Sequence, residues 1–131
     1  MKMKNNEIVA FLNICAELRK KRLPVRLAYA IKKNMSSAQE TAAAYMAERE
    51  ELVARYAKKD KNGEYLTEDN HYIMEDKDGF EKDMKELLEI ETEVEIHTVP
   101  FATVEKCDED SKYDALTLEE LDAIGYMLTE E

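Results

Sequence analysis

Glycine occurs three times in this 131-residue sequence, proline and cysteine twice each, and tryptophan not at all. Isolated glycines at 63, 79 and 125 cannot build the glycine-rich cradle that a nucleotide-binding loop requires. The two cysteines, Cys15 and Cys107, share no C-x-x-C spacing, so neither a zinc knuckle nor a disulfide framework is expected. Cys15 falls in an apolar helical stripe, where a thiol behaves as a small hydrophobe; Cys107 falls in an acidic stretch, which raises a thiol pKa. Neither has the surroundings of an activated nucleophile, and a reduced, intracellular setting is expected. No G-x-S-x-G motif occurs, and Ser36 and Ser37 sit in a predicted helix with no histidine nearby in sequence. No run of about 18 apolar residues exists to span a membrane. The N-terminal "MKMKNNEIVAFLNICAELRKK" has neither a continuous apolar core nor a small-residue cleavage site, so it does not read as a signal peptide.

What is abundant is charge, and it is unevenly placed. Residues 1–59 carry 13 Lys/Arg against 6 Asp/Glu, whereas residues 60–131 carry 6 against 24. The acidic part repels phosphates, so direct nucleic-acid binding is disfavoured. The same division lets the two parts attract each other, within one chain or between chains. The length suits a single domain over 1–131.

Few breakers and many Glu, Lys, Ala, Leu and Met favour helix. Ile8, Phe11, Leu12, Cys15 and Leu18 follow helical spacing after Asn5 and Asn6 as N-cap candidates, with Arg19–Arg22 in the last turn, where cations suit the helix dipole. Pro24 ends that helix and opens a second one reaching to about Lys58. Within it Ile31, Met35, Ala38, Ala42, Tyr45, Arg49, Leu52 and Tyr56 step by alternating fours and threes. That is a heptad seam on a rod of roughly 50 Å, longer than a small globule is wide. The seam predicts self-association or a partner helix; the other reading is a long helix buried by its own chain.

Further along, "EYLT" and "HYIM" around "EDN" predict a hairpin with a three-residue loop and Asn70 in the left-handed region. Asp78 and Glu81 predict a capped short helix through Phe80, Met84, Leu87 and Leu88. The period then changes to two. Ile90, Thr92, Val94, Ile96 and Thr98 alternate with Glu91, Glu93, Glu95 and His97, which predicts a strand covered on one face, with Pro100 ending it or at an edge. "EKCDEDSKYD" reads as an acidic linker. Thr117 with Glu120 is a capping box, Leu116 and Leu121 occupy staple positions, and Leu118, Leu121, Ile124 and Leu128 form the stripe of a docked C-terminal helix.

Four carboxylates and an imidazole along one strand, Glu89 to His97, invite a metal or acid–base reading. Alternate strand side chains lie nearly 7 Å apart, so the carboxylates diverge unless a cation gathers them, and His71 is the only other histidine. A solvated face or an acidic contact surface, Glu91/Glu93/Glu95 together with Asp108, Glu109 and Asp110, is the expectation; no metal and no cofactor are expected. "DKNGEY" and "DKDGFE" fail the calcium-loop pattern, since a loop with Gly79 sixth would start at Met74 and end at Lys85. The basic run Arg19, Lys20, Lys21, Arg22, Arg26, Lys32 and Lys33 has one interleaved aromatic, Tyr29, and is explained more simply by pairing with the acidic half.

The order of "LPVRLAYAIKKNM", "EREELVARYAKKDKNGEY", "FEKDMKELLEIETEVEIHTV" and "LTLEELDAIGYML" resembles small uncharacterised proteins encoded in phages and prophages of Firmicutes-type bacteria. The resemblance covers most of the chain. It implies a phage-related origin, in the bacterial host cytoplasm or the virion, and assigns no reaction or catalytic residue.

The expected fold is α+β and predominantly helical, with a long central helix, a small hairpin and strand element, and a docked C-terminal helix. The expected function is a non-catalytic protein–protein interaction module that self-associates through Ile31, Met35, Ala38, Ala42, Tyr45, Leu52 and Tyr56. The alternative is an acidic, nucleic-acid-mimicking inhibitor of a nucleic-acid-handling enzyme such as a defence nuclease.

Overall fold

The computed structural model describes residues 1–130. The fold is α+β and mainly helical, with three two-stranded sheets among the described residues. Its contacts divide into two compact units, Met1–Ala42 with the segment from Glu91 onward, and Ala43–Ile90. Among the described residues no helix is long and apolar enough to cross a membrane.

The first unit begins with β1 (Lys2–Lys4) and α1 (Asn5–Leu18). The N-cap of α1 is Lys4 rather than Asn5 or Asn6: Lys4 N–H donates to Glu7 Oε1 at 2.9 Å, the back-reaching half of a capping box. Ile8, Phe11, Cys15 and Leu18 are buried as their spacing requires. The helix stops at Leu18, so Arg19–Arg22 lie beyond its last turn. Next comes α2 (Val25–Tyr56), whose N-terminal part belongs to this unit; Pro24 immediately precedes it and its carbonyl accepts from Ala28 N–H.

After the second unit the chain returns through β4 (Glu91–Glu93), which pairs antiparallel with β1 in the register Lys2↔Glu93, Met3↔Thr92, Lys4↔Glu91. The strand predicted over residues 90–98 is therefore short. Val94 is buried, but Ile90 is half exposed, so the period of two holds for only part of the run. β5 (Val99–Pro100) leads into α4 (Phe101–Glu109). The first half of the stretch read as an acidic linker is thus the end of a helix, and its reason is a buried face of Thr103, Val104 and Cys107. α5 (Leu118–Ile124) starts at the predicted box, with Thr117 Oγ1 accepting from Glu120 N–H and Glu120 Oε1 accepting from Thr117 N–H at 2.8 Å. Leu118 is not part of the buried stripe; it is 81 % exposed. A 3-10 turn over Gly125–Met127 carries the chain into β6 (Leu128–Thr129), parallel to β5.

The core of this unit gathers Met3, α1, the N-terminal part of α2, Val94, Val99, α4 and Met127. One polar side chain lies wholly inside it. Asn34 of α2 donates from Nδ2 to the His97 carbonyl at 2.9 Å and accepts from His97 N–H at 2.7 Å. A single carboxamide thereby replaces a strand partner for the extended segment between β4 and β5.

In the second unit the C-terminal part of α2 is followed by β2 (Thr67–Glu68) and β3 (His71–Tyr72). The loop holds two residues, not three: Asp69 and Asn70 have φ of 52° and 67°, the double left-handed geometry of a type I′ turn. Bridges Ala57↔Met74 and Lys59↔Tyr65 tie this hairpin to the chain leaving α2. α3 (Lys77–Glu89) is capped by Asp76 and not by Asp78; the Asp76 carboxylate accepts from Gly79 N–H at 3.0 Å. A Cβ at position 79 would push that carboxylate aside, so glycine lets the Asp76 cap close this tightly on the helix. Tyr56 Oη donates to Asp83 Oδ2 at 2.7 Å, joining α2 to α3, and its ring meets Phe80 edge-on.

Candidate functional site

The seam proves to be the inner face of α2. Ile31, Met35, Ala38, Ala42, Tyr45 and Leu52 are all buried within the chain, Tyr56 is half-buried on Asp83, and the charged interruption, Arg49, is exposed. Apolar side chains that are already out of water gain nothing by docking on a second chain. The heptad spacing therefore records packing inside this chain, and the expected interface along Ile31–Tyr56 is replaced by a core stripe.

The glutamates of the predicted strand are also partly occupied. Glu91 and Glu93 stand directly across from Lys4 and Lys2, and the N-terminal ammonium lies 2.9 Å from Glu93 Oε2. Opposite charges at facing positions favour this pairing of the two strands by about 0.2–1 kcal/mol each. Glu95 remains exposed. His97 is held by its backbone at Asn34, and its ring abuts Tyr29 edge-on at 5.7 Å. His71 lies in the hairpin opposite Glu68. Among the described residues no group of three or more His, Cys, Asp or Glu is disposed to hold a metal ion.

Both thiols are buried, and burial pushes Cys15 up to about 12 and raises Cys107, with Asp108 adding to the latter shift. A thiol so placed stays protonated and unreactive.

Part of the basic run is held by the acidic half, as its charge predicts. Lys21 Nζ lies 2.7 Å from Glu120 Oε1 and donates to the Ala115 carbonyl at 2.8 Å. Burial opposes the charged form of Glu120, but the Lys21 ammonium and the Thr117 N–H outweigh it and lower its pKa. Arg22 and Asp114 are joined three ways: Arg22 N–H to Oδ2 at 2.7 Å, its guanidinium to Oδ1 at 3.3 Å, and Asp114 N–H to the Arg22 carbonyl at 2.9 Å. The Arg22 amide, then its guanidinium, holds Asp114 below its ordinary range.

What remains open and chemically coherent is the surface of α4. Asp108 and Glu109 are exposed; Asp110, the C-cap, is half-buried and accepts from Lys112 N–H at 3.1 Å. Phe101, Ala102 and Glu105 of α4 line an open groove of about 480 Å3 with Leu121, Leu128 and Glu130. Glu109 follows Glu105 by one turn on the same helical face. Among the described residues no Lys or Arg lines the groove, and Phe101, at its wall, is 45 % exposed. An apolar trough with a carboxylate rim is suited to a partner carrying apolar anchors among cations. The sequence signalled the carboxylates of this site but not the groove, because Leu121 and Leu128 reach it from a different helix and strand.

No family model, curated protein or solved structure matches this chain.

Proposed function

We propose that the chain is a non-catalytic protein-interaction module of phage or prophage origin, which docks a basic amphipathic segment of another protein in the groove between α4 and the α5–β6 return. The observation that carries this reading is the pairing of an exposed Phe101 with Glu105 and Glu130 in the groove, Glu109 one turn beyond Glu105, and no cation in the lining among the described residues. A helix laid in such a groove places apolar residues at i, i+3 and i+4 into the trough and Lys or Arg against the rim. The reading makes no use of the seam of α2.

The alternative, an acidic inhibitor of a nucleic-acid-handling enzyme, is favoured by the same carboxylates, since Glu105, Asp108 and Glu109 present a close-set array of negative charge on one helix. Both readings are tested by co-purification from infected cells with the native chain and with a Glu105→Lys/Glu109→Lys variant. A basic protein retained by the native chain, released by added salt and lost from the variant is the expected result. Release by DNA as well identifies the inhibitor. Retention indifferent to the charge reversal rules out both.

A further inference from the structure

We infer that the turn between α1 and α2 is a binding site for a nucleotide-sized organic phosphate. A cavity of about 500 Å3 opens here, within the size range of small-molecule sites of about 300–1,000 Å3. Arg19, Lys21, Arg22, Lys32 and Lys112 line it beside Tyr113, and no carboxylate among the described residues does. In a chain of net charge −11, five cations line this one concavity, and two of them, Arg19 and Lys32, have no carboxylate partner among the described residues.

The cations differ in their commitments. Lys21 and Arg22 are spent on Glu120 and Asp114, and Lys112 is 3.8 Å from Asp110. Arg19 and Lys32 form no ion pair among the described residues. The carbonyls ending α1 do not satisfy them either, because Cys15, Glu17 and Leu18 accept from the backbone N–H groups of residues 19–21. Arg19 and Lys32 thus supply the cavity's uncompensated positive charge, since the charges of Lys21, Arg22 and Lys112 are offset by Glu120, Asp114 and Asp110.

The rest of the lining selects the ligand. Leu18, Leu23 and Ile31 give an apolar floor and Tyr113 an aromatic wall, so an anion bearing a flat or apolar moiety fills what inorganic phosphate leaves empty. A long polyanion is disfavoured, since residues 60–131 carry 24 carboxylate side chains against 6 cations. The cleft of about 670 Å3 in the second unit does not share this character: Arg49, His71 and Lys77 line it, but so do Glu68, Asp69 and Glu81. The proposed site has no residue in common with the α4 groove and stands or falls separately from it.

Calorimetric titration of the full chain with ATP, with inorganic phosphate and with a short oligothymidylate tests the proposal. ATP is expected to bind at a single site and more tightly than phosphate. Arg19→Glu with Lys32→Glu should weaken it by roughly tenfold or more, the loss of two charge-assisted contacts. Arg26→Glu, a cation outside the cavity, should leave binding unchanged. Both altered side chains are exposed, so circular dichroism should show the native fold. No heat with ATP, equal affinity for phosphate, tighter binding of the oligonucleotide, or indifference to the double charge reversal would each overturn the assignment.

Discussion

Two buried polar side chains in the first unit set opposite demands on stability. Asn34 has both ends of its carboxamide engaged by the His97 backbone, with Met127 Sδ 3.4 Å from Nδ2. Replacing it by leucine keeps the volume but leaves the part-buried N–H and carbonyl of His97 without these partners. Each orphaned group costs about 1–3 kcal/mol, so Asn34→Leu should lose at least about 2 kcal/mol. The Tyr126 hydroxyl is the reverse case: it is buried without a hydrogen-bond partner among the described residues, and burial raises its pKa. Tyr126→Phe keeps the ring packed on Phe11, 5.6 Å away, and removes an unsatisfied group. It should unfold at equal or higher urea concentration than the native chain, in the same melts that show Asn34→Leu unfolding earlier. If the order of the two variants is reversed, the hydrogen-bond assignment in this core is wrong.

At the scale of elements, α2 decides whether its regular spacing means assembly or packing. Ala42 is 2 % exposed among core side chains, whereas Ala43 beside it is open to water. A glutamate at 42 places a carboxylate in apolar surroundings with no cation provided, a destabilisation of several kcal/mol. Ala42→Glu should therefore lower the thermal midpoint sharply, Ala43→Glu should leave it nearly unmoved, and light scattering should give the native chain the mass of one copy, 15.2 kDa. A native oligomer that Ala42→Glu converts to a stable, folded monomer would restore the seam as an interface. The local features of these elements were legible in the sequence. The stripe of α1, the extent of α2, the Thr117–Glu120 box and the left-handed Asn70 each rest on residues within one or two turns of each other. What was hidden is non-local. Nothing near Lys2 announces Glu93, nothing near Val99 announces Leu128, and Asn34 finds a backbone, which has no sequence signature. The same distance effect hid the groove, although its carboxylates were named, and turned the acidic stretch 105–109 from an expected linker into a helix through its buried face.

Over the whole molecule the buried apolar side chains are unequally shared. The first unit holds a continuous core from Met3 to Met127, including nine of the fully covered large side chains other than Asn34 and Cys15: Phe11, Met3, Ile8, Leu18, Leu27, Ile31, Ile124, Met127 and Val94. The second has Tyr45, Leu52, Val53, Ala57 and Leu87, none of them fully covered, and residues 60–72 are exposed throughout. With about 1.5–3 kcal/mol gained per fully buried large aliphatic or aromatic side chain, the two units cannot resist opening equally. The first unit is stapled further across the sequence, by Lys21–Glu120, Arg22–Asp114 and the pairing of β1 with β4. The hairpin of the second rests on its own turn, the bridges at Ala57 and Lys59 and the Tyr56–Asp83 bond. Native-state hydrogen exchange should accordingly find the amides of α1 and of α2 up to Ala42 slowest. Those of β2 and β3 should exchange through a smaller, separate opening that leaves the first unit intact. Removing the Tyr56–Asp83 bond with Tyr56→Phe should then accelerate exchange in α3 while the amides of α1 keep their rates. Equal acceleration in both would mean that the chain opens as one cooperative body, and the inequality of the two cores would have no consequence for its motion.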